Sequence, residues 1–118
     1  MQLMFIETPI FTKELVALIP DESYRQLQKE LLFRPEAGKP IKGSGGLRKI
    51  RWNLPGKGKS GGIRLIYYYD KPSVIYMLFP YKKSAQENLT PSQLKYLTAI
   101  IKEYLLGKMK ISKSLLEA

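Results

Sequence analysis

Two consecutive segments rich in β-branched and aromatic residues, 63–69 and 74–79, limit the possible folds most strongly. This composition is typical of strands that pack against a core on at least one face. The residues between them read Asp-Lys-Pro-Ser, a turn sequence, and Pro72 could not donate to a sheet ladder. We therefore expect the two segments to pair as an antiparallel hairpin with Pro72 in its turn.

Two further segments also predict strands. In residues 47–52, Ile50 and Trp52 alternate with Lys49 and Arg51, so that the strand has an apolar face and a basic face. Residues 3–6 are short and apolar, and they predict a first strand near the start of the chain.

Three helices are predicted from their start and stop signals. The first follows the N-cap sequence Thr8-Pro9 and ends at Pro20, and the second is capped by Asp21 and stops before Pro35. The third begins with a capping box at residues 90–93, and Gly107 is expected to end it. The sum is an α+β fold: a small, mainly antiparallel sheet with two N-terminal helices and a C-terminal helix. We expect a single domain over residues 1–107 and a basic C-terminal tail over 108–118.

Composition removes several kinds of chemistry. The chain has no Cys and no His, so disulfides, thiolate zinc sites, thiol nucleophiles and imidazole acid–base groups are excluded. We expect no cofactor and no metal. No apolar run approaches the roughly 18 residues of a membrane span, and the N-terminus lacks a signal-peptide pattern, which predicts a cytoplasmic protein without membrane association.

The basic charge is unevenly distributed. The net charge is +10, and residues 37–69 contain eight basic side chains and no acidic one. A one-sided positive field attracts a polyanion, most often a nucleic acid. The alternative is a basic surface without a partner.

A glycine-rich segment at residues 56–61, GKGKSG, matches the dinucleotide-binding pattern in letters only. That pattern requires a helix directly after it, whereas the sequence here continues into a strand. A Walker A loop fails for the same reason, and because Asn53 stands where its first glycine would be. We interpret the segment as a basic turn whose Lys57 and Lys59 contact a phosphate backbone, with a plain hairpin loop as the alternative.

Basic residues also cluster in the predicted sheet, and pairing of consecutive strands would bring them to one end of it. Lys49, Arg51 and Arg64 could instead be solvated strand residues, but they lie opposite the apolar alternates and no acidic residue lies near these three in sequence. Our candidate catalytic residues are Lys49, Arg51, Arg64, Tyr81 and Lys83, and our candidate RNA-binding residues are Arg48, Lys82 and the two turn lysines.

The segments GGLRKIR at 45–51 and GGIRLIYY at 61–68 resemble the central block of RelE-type toxins, and within the RelE/ParE superfamily they are most similar to the HigB-like branch. The resemblance extends from Phe5 to Leu105. It implies a microbial-ribonuclease-like sheet and a toxin of a type II toxin–antitoxin pair. RelE-like members cleave mRNA in the ribosomal A site, so the expected partners are a cognate antitoxin, the ribosome and mRNA.

The same resemblance implies roles for individual residues. Arg64 corresponds to the strand arginine that contacts the scissile phosphate, Lys49 and Arg51 to a pair of basic residues on the preceding strand, and Lys83 to a basic residue after the last strand. A tyrosine that some relatives carry is Leu89 here, and Tyr81 is expected to replace it in part. The general base is therefore left unassigned.

Elementary chemistry agrees with cleavage by the 2′-hydroxyl of the RNA itself, for which the protein supplies charge stabilisation and proton transfer. Neighbouring cations lower the pKa of a lysine, so that one lysine could act as the acid or base that histidine provides elsewhere. The sequence leaves open which lysine this is. Two other functions also remain open: a noncatalytic RNA-binding module and a ParE-like gyrase inhibitor.

Overall fold

The structure is a computed structural model, and it describes residues 3–54 and 62–117, with side chains up to residue 107. By contacts it divides into two compact units, one ending at Asn88 and one beginning at Leu89. The expectation of a single domain over residues 1–107 stays a prediction. The elements of the chain are β1 (Met4–Glu7), α1 (Pro9–Leu18), α2 (Asp21–Phe33), β2 (Lys39–Pro40), β3 (Leu47–Asn53), β4 (Gly62–Asp70), β5 (Val74–Lys82) and α3 (Pro91–Glu117).

The first unit is built on a five-stranded sheet with the order β1-β5-β4-β3-β2. The predicted hairpin is present as β4 and β5, and β3 pairs with β4 in the same antiparallel sense. The first strand, β1, lies parallel to β5 at one edge of the sheet, and α1 and α2 then carry the chain to β2 at the other edge. The predicted α+β fold is confirmed. The two-residue strand β2 was missed because it is too short to show any alternation.

Helices α1 and α2 cover one face of the sheet, which we call the helix face. Phe11 and Leu15 of α1 and Leu27 and Leu31 of α2 are buried in one core cluster. The sheet contributes to this core Ile50, Ile63, Leu65, Tyr67, Ile75 and Met77. The alternation predicted for β3 therefore has Ile50 inside and leaves Lys49 and Arg51 on the opposite face.

Helix caps follow the sequence signals in two of three cases. The backbone N–H of Phe11 donates to the Thr8 hydroxyl at 3.0 Å, and Thr90 and Gln93 make both hydrogen bonds of the capping box. The prediction that Asp21 is an N-cap is wrong. Pro20 holds that position, and the Asp21 carboxylate lies in the first turn, where the helix dipole favours it.

The helix expected to end at Gly107 instead continues to Glu117. A glycine within a helix costs only about 1 kcal/mol relative to alanine, and no proline follows it in the sequence. The terminator prediction is therefore wrong, whereas the role of residues 108–118 as a basic tail stays a prediction. Within the described parts of the chain, no helix is both long and apolar enough to cross a bilayer.

Candidate active site

Three strands present polar side chains in one lateral row on the face opposite α1 and α2. Arg51 of β3 lies directly opposite Arg64 of β4, and Arg64 lies directly opposite Tyr81 of β5. Adjacent strands are about 4.8 Å apart, so the row is narrow. Lys49 is on the same face of β3, one pleat away. We call Lys49, Arg51, Arg64 and Tyr81 the cationic site.

Arg64 is the buried cation of the site, with only 6% of its surface exposed. Its Nη1 approaches the carbonyl oxygen of Ile63 at 3.4 Å, and no described carboxylate forms an ion pair with it. A buried charge is costly unless an opposite charge compensates it. The arrangement therefore favours an anion beside Arg64, and the planar guanidinium suits the two oxygens of a phosphate.

Lys49 has a perturbed titration. Its pKa is lowered below the usual 10.5, first because partial burial disfavours the ammonium and then because Arg51 and Arg64 repel it. Lys39 acts in the same direction, whereas Glu87 opposes the shift. The Nζ of Lys49 donates to Oδ1 of Asn88 at 2.9 Å, which fixes the end of this otherwise flexible side chain.

Tyr81 reaches the cationic site because of a β-bulge. Met77 pairs with Tyr67 and faces the helices, but the next pair is Phe79 with Ile66, so Leu78 is the extra residue. Without the bulge, simple alternation would turn Tyr81 toward the helices, because it is four residues from Met77. The bulge re-aims the side chain and brings its ring beside that of Phe79, with centroids 6.0 Å apart.

The bulge is tied to the start of α1. The carbonyl oxygen of Leu78 accepts a hydrogen bond of 2.8 Å from the hydroxyl of Thr8, the same hydroxyl that caps the helix by accepting from Phe11. Thr8 is buried, and its own backbone N–H donates to the carbonyl oxygen of Met77 at 3.0 Å. One threonine therefore satisfies polar groups of both the bulge and the helix terminus.

The Tyr81 hydroxyl stays protonated over the neutral range. Burial raises its pKa above 10, and the positive charges of Arg64 and Arg51 oppose this rise without cancelling it. The hydroxyl lies 3.4 Å from the carbonyl oxygen of Glu87, to which it donates. A phenol in this state is a proton donor, which complements a lysine whose lowered pKa makes its amine form more accessible.

The other candidates are placed differently. Lys83 lies just beyond Tyr81 and is held by its backbone N–H, which donates to the carbonyl oxygen of Gly62 at 3.1 Å. Lys82 pairs with Ile63, which packs in the core under the helices, so Lys82 is on the helix face of the sheet. Arg48 also lies on the side away from the cationic site, where it pairs with Glu36 at 3.2 Å. The predicted turn contacts, Lys57 and Lys59, lie outside the described residues.

Sequence reasoning missed two neighbours of the site. Asn88 contacts Lys49 only because the chain folds back after β5, and a 39-residue separation leaves no local signal. Lys39 lies opposite Lys49 in the short ladder between β2 and β3. Its place in the acid-free basic segment was visible in the sequence, but its strand was not.

The sequence and the fold of this chain are similar to those of known proteins. A family model described as the RelE toxin of the RelE/RelB toxin–antitoxin system matches residues 41–117, which is more than half of the chain and includes β3, β4 and β5. The chain belongs to the RelE toxin family. It is a toxin of a type II toxin–antitoxin system that inhibits translation.

The fold of this RelE-family toxin is also similar to a solved structure. That structure is the E. coli toxin RelE in the free state, studied as a double mutant with two arginines changed to alanine. The two chains are 26% identical, with a TM-score of 0.51, and the match covers 74% of this chain and 90% of the other. Membership of the HigB-like branch stays a prediction.

Proposed function

We propose that this toxin inhibits translation as a ribosome-dependent mRNA endonuclease. The observation that carries the proposal is the cationic site itself: three basic side chains and a buried tyrosine on one face of three paired strands. Lys49, Arg51 and Arg64 have no described carboxylate in an ion pair with them, which suits a phosphodiester as their counter-charge. Family membership supports the same reading.

The reaction is an internal transfer within the RNA. The 2′-oxygen of one nucleotide attacks the adjacent phosphorus, the bond from phosphorus to the 5′-oxygen of the next nucleotide breaks, and no water is consumed. The products are a 2′,3′-cyclic phosphate and a free 5′-hydroxyl. One proton leaves the 2′-hydroxyl and one is added to the departing 5′-oxygen, so the protein must accept one proton and donate another.

Each residue of the cationic site has a role in this scheme. Arg64, supported by Arg51, contacts the nonbridging oxygens and stabilises the negative charge that grows there in the transition state. Lys49 accepts the 2′-hydroxyl proton in its amine form, a role that its lowered pKa supports. Tyr81 donates to the 5′-oxygen, and its raised pKa ensures that the hydroxyl is protonated before the reaction. Exchange with solvent then returns both groups to their starting states.

The partners follow from this chemistry. The substrate supplies the nucleophile, so the rate depends on how the RNA is held in line, and a ribosome-bound transcript is already oriented. We expect the antitoxin to cover or distort the cationic site, and an acidic antitoxin segment would complement its charge. A protein that acts on translating ribosomes works in the cytoplasm.

Co-expression with the neighbouring gene product followed by pull-down should yield a tight complex, and its absence would count against a toxin–antitoxin pair.

The decisive experiment is primer extension on cellular mRNA after brief induction of the toxin. New 5′-ends within translated regions are expected for the wild type, and their loss is expected for Arg64→Ala. Arg34→Ala, on the exposed end of α2, is the matched control and should cleave normally. Intact mRNA with arrested translation would instead indicate a noncatalytic RNA-binding module. Intact mRNA with DNA damage would indicate a gyrase inhibitor. Either result would overturn the proposal.

A further inference from the structure

A shallow cleft lies beside the cationic site at the edge of the sheet. Its volume is about 210 Å³, and it is lined by Ala37, Lys39, Lys49, Ile50 and Arg51. Three of these five side chains are cationic. The cleft is smaller than the roughly 300–1,000 Å³ of pockets that enclose drug-sized ligands. Its size therefore suits one charged group better than a whole nucleotide.

The charge of the cleft is not neutralised within the described part of the chain. Lys39 lies directly opposite Lys49, with strands about 4.8 Å apart, so the two side chains share a face. No described residue forms a hydrogen bond or ion pair with the side chains of Lys39 and Arg51. Like charges directly opposite each other in a sheet are unfavourable. Glu87 is the acidic residue that acts on Lys49, and its effect is smaller than those of Arg51 and Arg64.

The strand that carries Lys39 is held firmly from the helix face. The buried Tyr67 hydroxyl donates to the carbonyl oxygen of Pro35 and accepts from the backbone N–H of Gly38, both at 2.8 Å. Arg48 donates to the carbonyl oxygen of Gly38 at 2.8 Å. The chain just before Lys39 is thereby fixed at three points, so the base of its side chain is held in place before any ligand arrives.

We propose that this cleft is a second phosphate-binding position, which takes a phosphodiester of single-stranded RNA neighbouring the one held at Arg64, with Lys39 as its dedicated cation. That the bound nucleic acid is RNA rests on the proposed function. Lys49 lies between the two positions and contacts both, so the RNA backbone crosses from β4 toward β2. Because β2 and β4 flank β3, the part of this path that runs across the strands covers two interstrand spacings, about 10 Å.

Salt-dependent binding tests the proposal. The probe is a short, fluorescently labelled, single-stranded RNA with 2′-O-methyl groups, which cannot be cleaved because the nucleophile is blocked. Loss of one phosphate contact lowers the slope of log K against log salt by about 0.7 for a single strand. We expect Lys39→Gln to show this smaller slope and several-fold weaker binding at low salt. Lys39→Arg should retain most of the wild-type slope.

Lys29→Gln is the matched control, since it removes the same charge from an exposed position on α2, over the other face of the sheet. An identical slope for wild type and Lys39→Gln, or an equal change in the Lys29→Gln protein, would overturn the inference. Because the probe is not cleavable, the outcome is independent of catalysis. Normal mRNA cleavage with no Lys39 effect rejects the second position alone, whereas a Lys39 effect without mRNA cleavage rejects only the endonuclease.

Discussion

Arg51 and Arg64 lie directly opposite each other in the ladder between β3 and β4, two like charges in neighbouring strands on one face of the sheet. A cross-strand pair of this kind opposes folding, and Arg64 is in addition buried. A sequence selected for stability alone would not keep the pair. The arrangement is instead suited to an anion that binds between the two guanidinium groups and removes their repulsion.

Removing one charge of this pair should therefore stabilise the folded protein and lower its activity. We expect Arg51→Gln to raise the free energy of unfolding by about 0.2–1 kcal/mol, with the gain shrinking as salt is added. The same variant should cleave mRNA more slowly. Urea unfolding at low and high salt measures the first effect. Arg34→Gln, which loses only an exposed pair with Glu30, should show no gain, and a loss of stability in Arg51→Gln would contradict the prediction.

The rate of mRNA cleavage should depend on pH through Lys49. A folded-state pKa below 10.5 means that the neutral amine is more populated at a given pH than in a free lysine. Single-turnover cleavage on programmed ribosomes should rise about tenfold per pH unit and level off above that pKa. Lys49→Arg keeps the charge but cannot lose its proton, so this rising limb should disappear. Lys29→Arg is the control, and an unchanged profile in Lys49→Arg would rule Lys49 out as the base.

Thr8 should matter for both stability and activity. In Thr8→Val the shape is kept, but the Phe11 N–H loses its cap and the Leu78 carbonyl loses its donor. We expect a loss of about 1–3 kcal/mol in the free energy of unfolding, since both groups are buried. Thr8→Ser retains the hydroxyl and should lose far less. If the bulge positions Tyr81, cleavage by folded Thr8→Val should also fall, whereas an equal effect of both substitutions would contradict this account.

Gly38 should not tolerate a side chain. A Cβ at this position would lie 2.7 Å from Cε1 and 2.9 Å from the hydroxyl of Tyr67, whose ring is fully buried. We expect Gly38→Ala to destabilise the protein by about 1–3 kcal/mol, because a ring packed in the core must shift to accept the added methyl group. At Gly107 an added Cβ meets nothing within 4 Å, and Gly107→Ala should stabilise its helix by up to about 1 kcal/mol. Thermal unfolding of the two variants gives the comparison, and equal shifts would refute it.

Much of the fold could be predicted because its signals are local. The cap at Thr8 and the capping box at Thr90 depend on residues within three positions of each other, and both are present. Alternation in residues 47–52 correctly separated Ile50 from Lys49. The wrong prediction at Gly107 was also local in origin. A glycine is a common signal for the end of a helix, but it only weakens the helix and does not end it without a suitable turn after it.

The site was less accessible to prediction because it depends on pairing register. The sequence determined which side chains are available, a basic and histidine-free set, and which face of its own strand each one takes. Only the tertiary structure decided that Arg51, Arg64 and Tyr81 form one row, since register is fixed by core packing across strands and the Leu78 bulge reverses the alternation. Lys39 and Asn88 join this neighbourhood through contacts between segments far apart in sequence, which no residue pattern along the chain encodes.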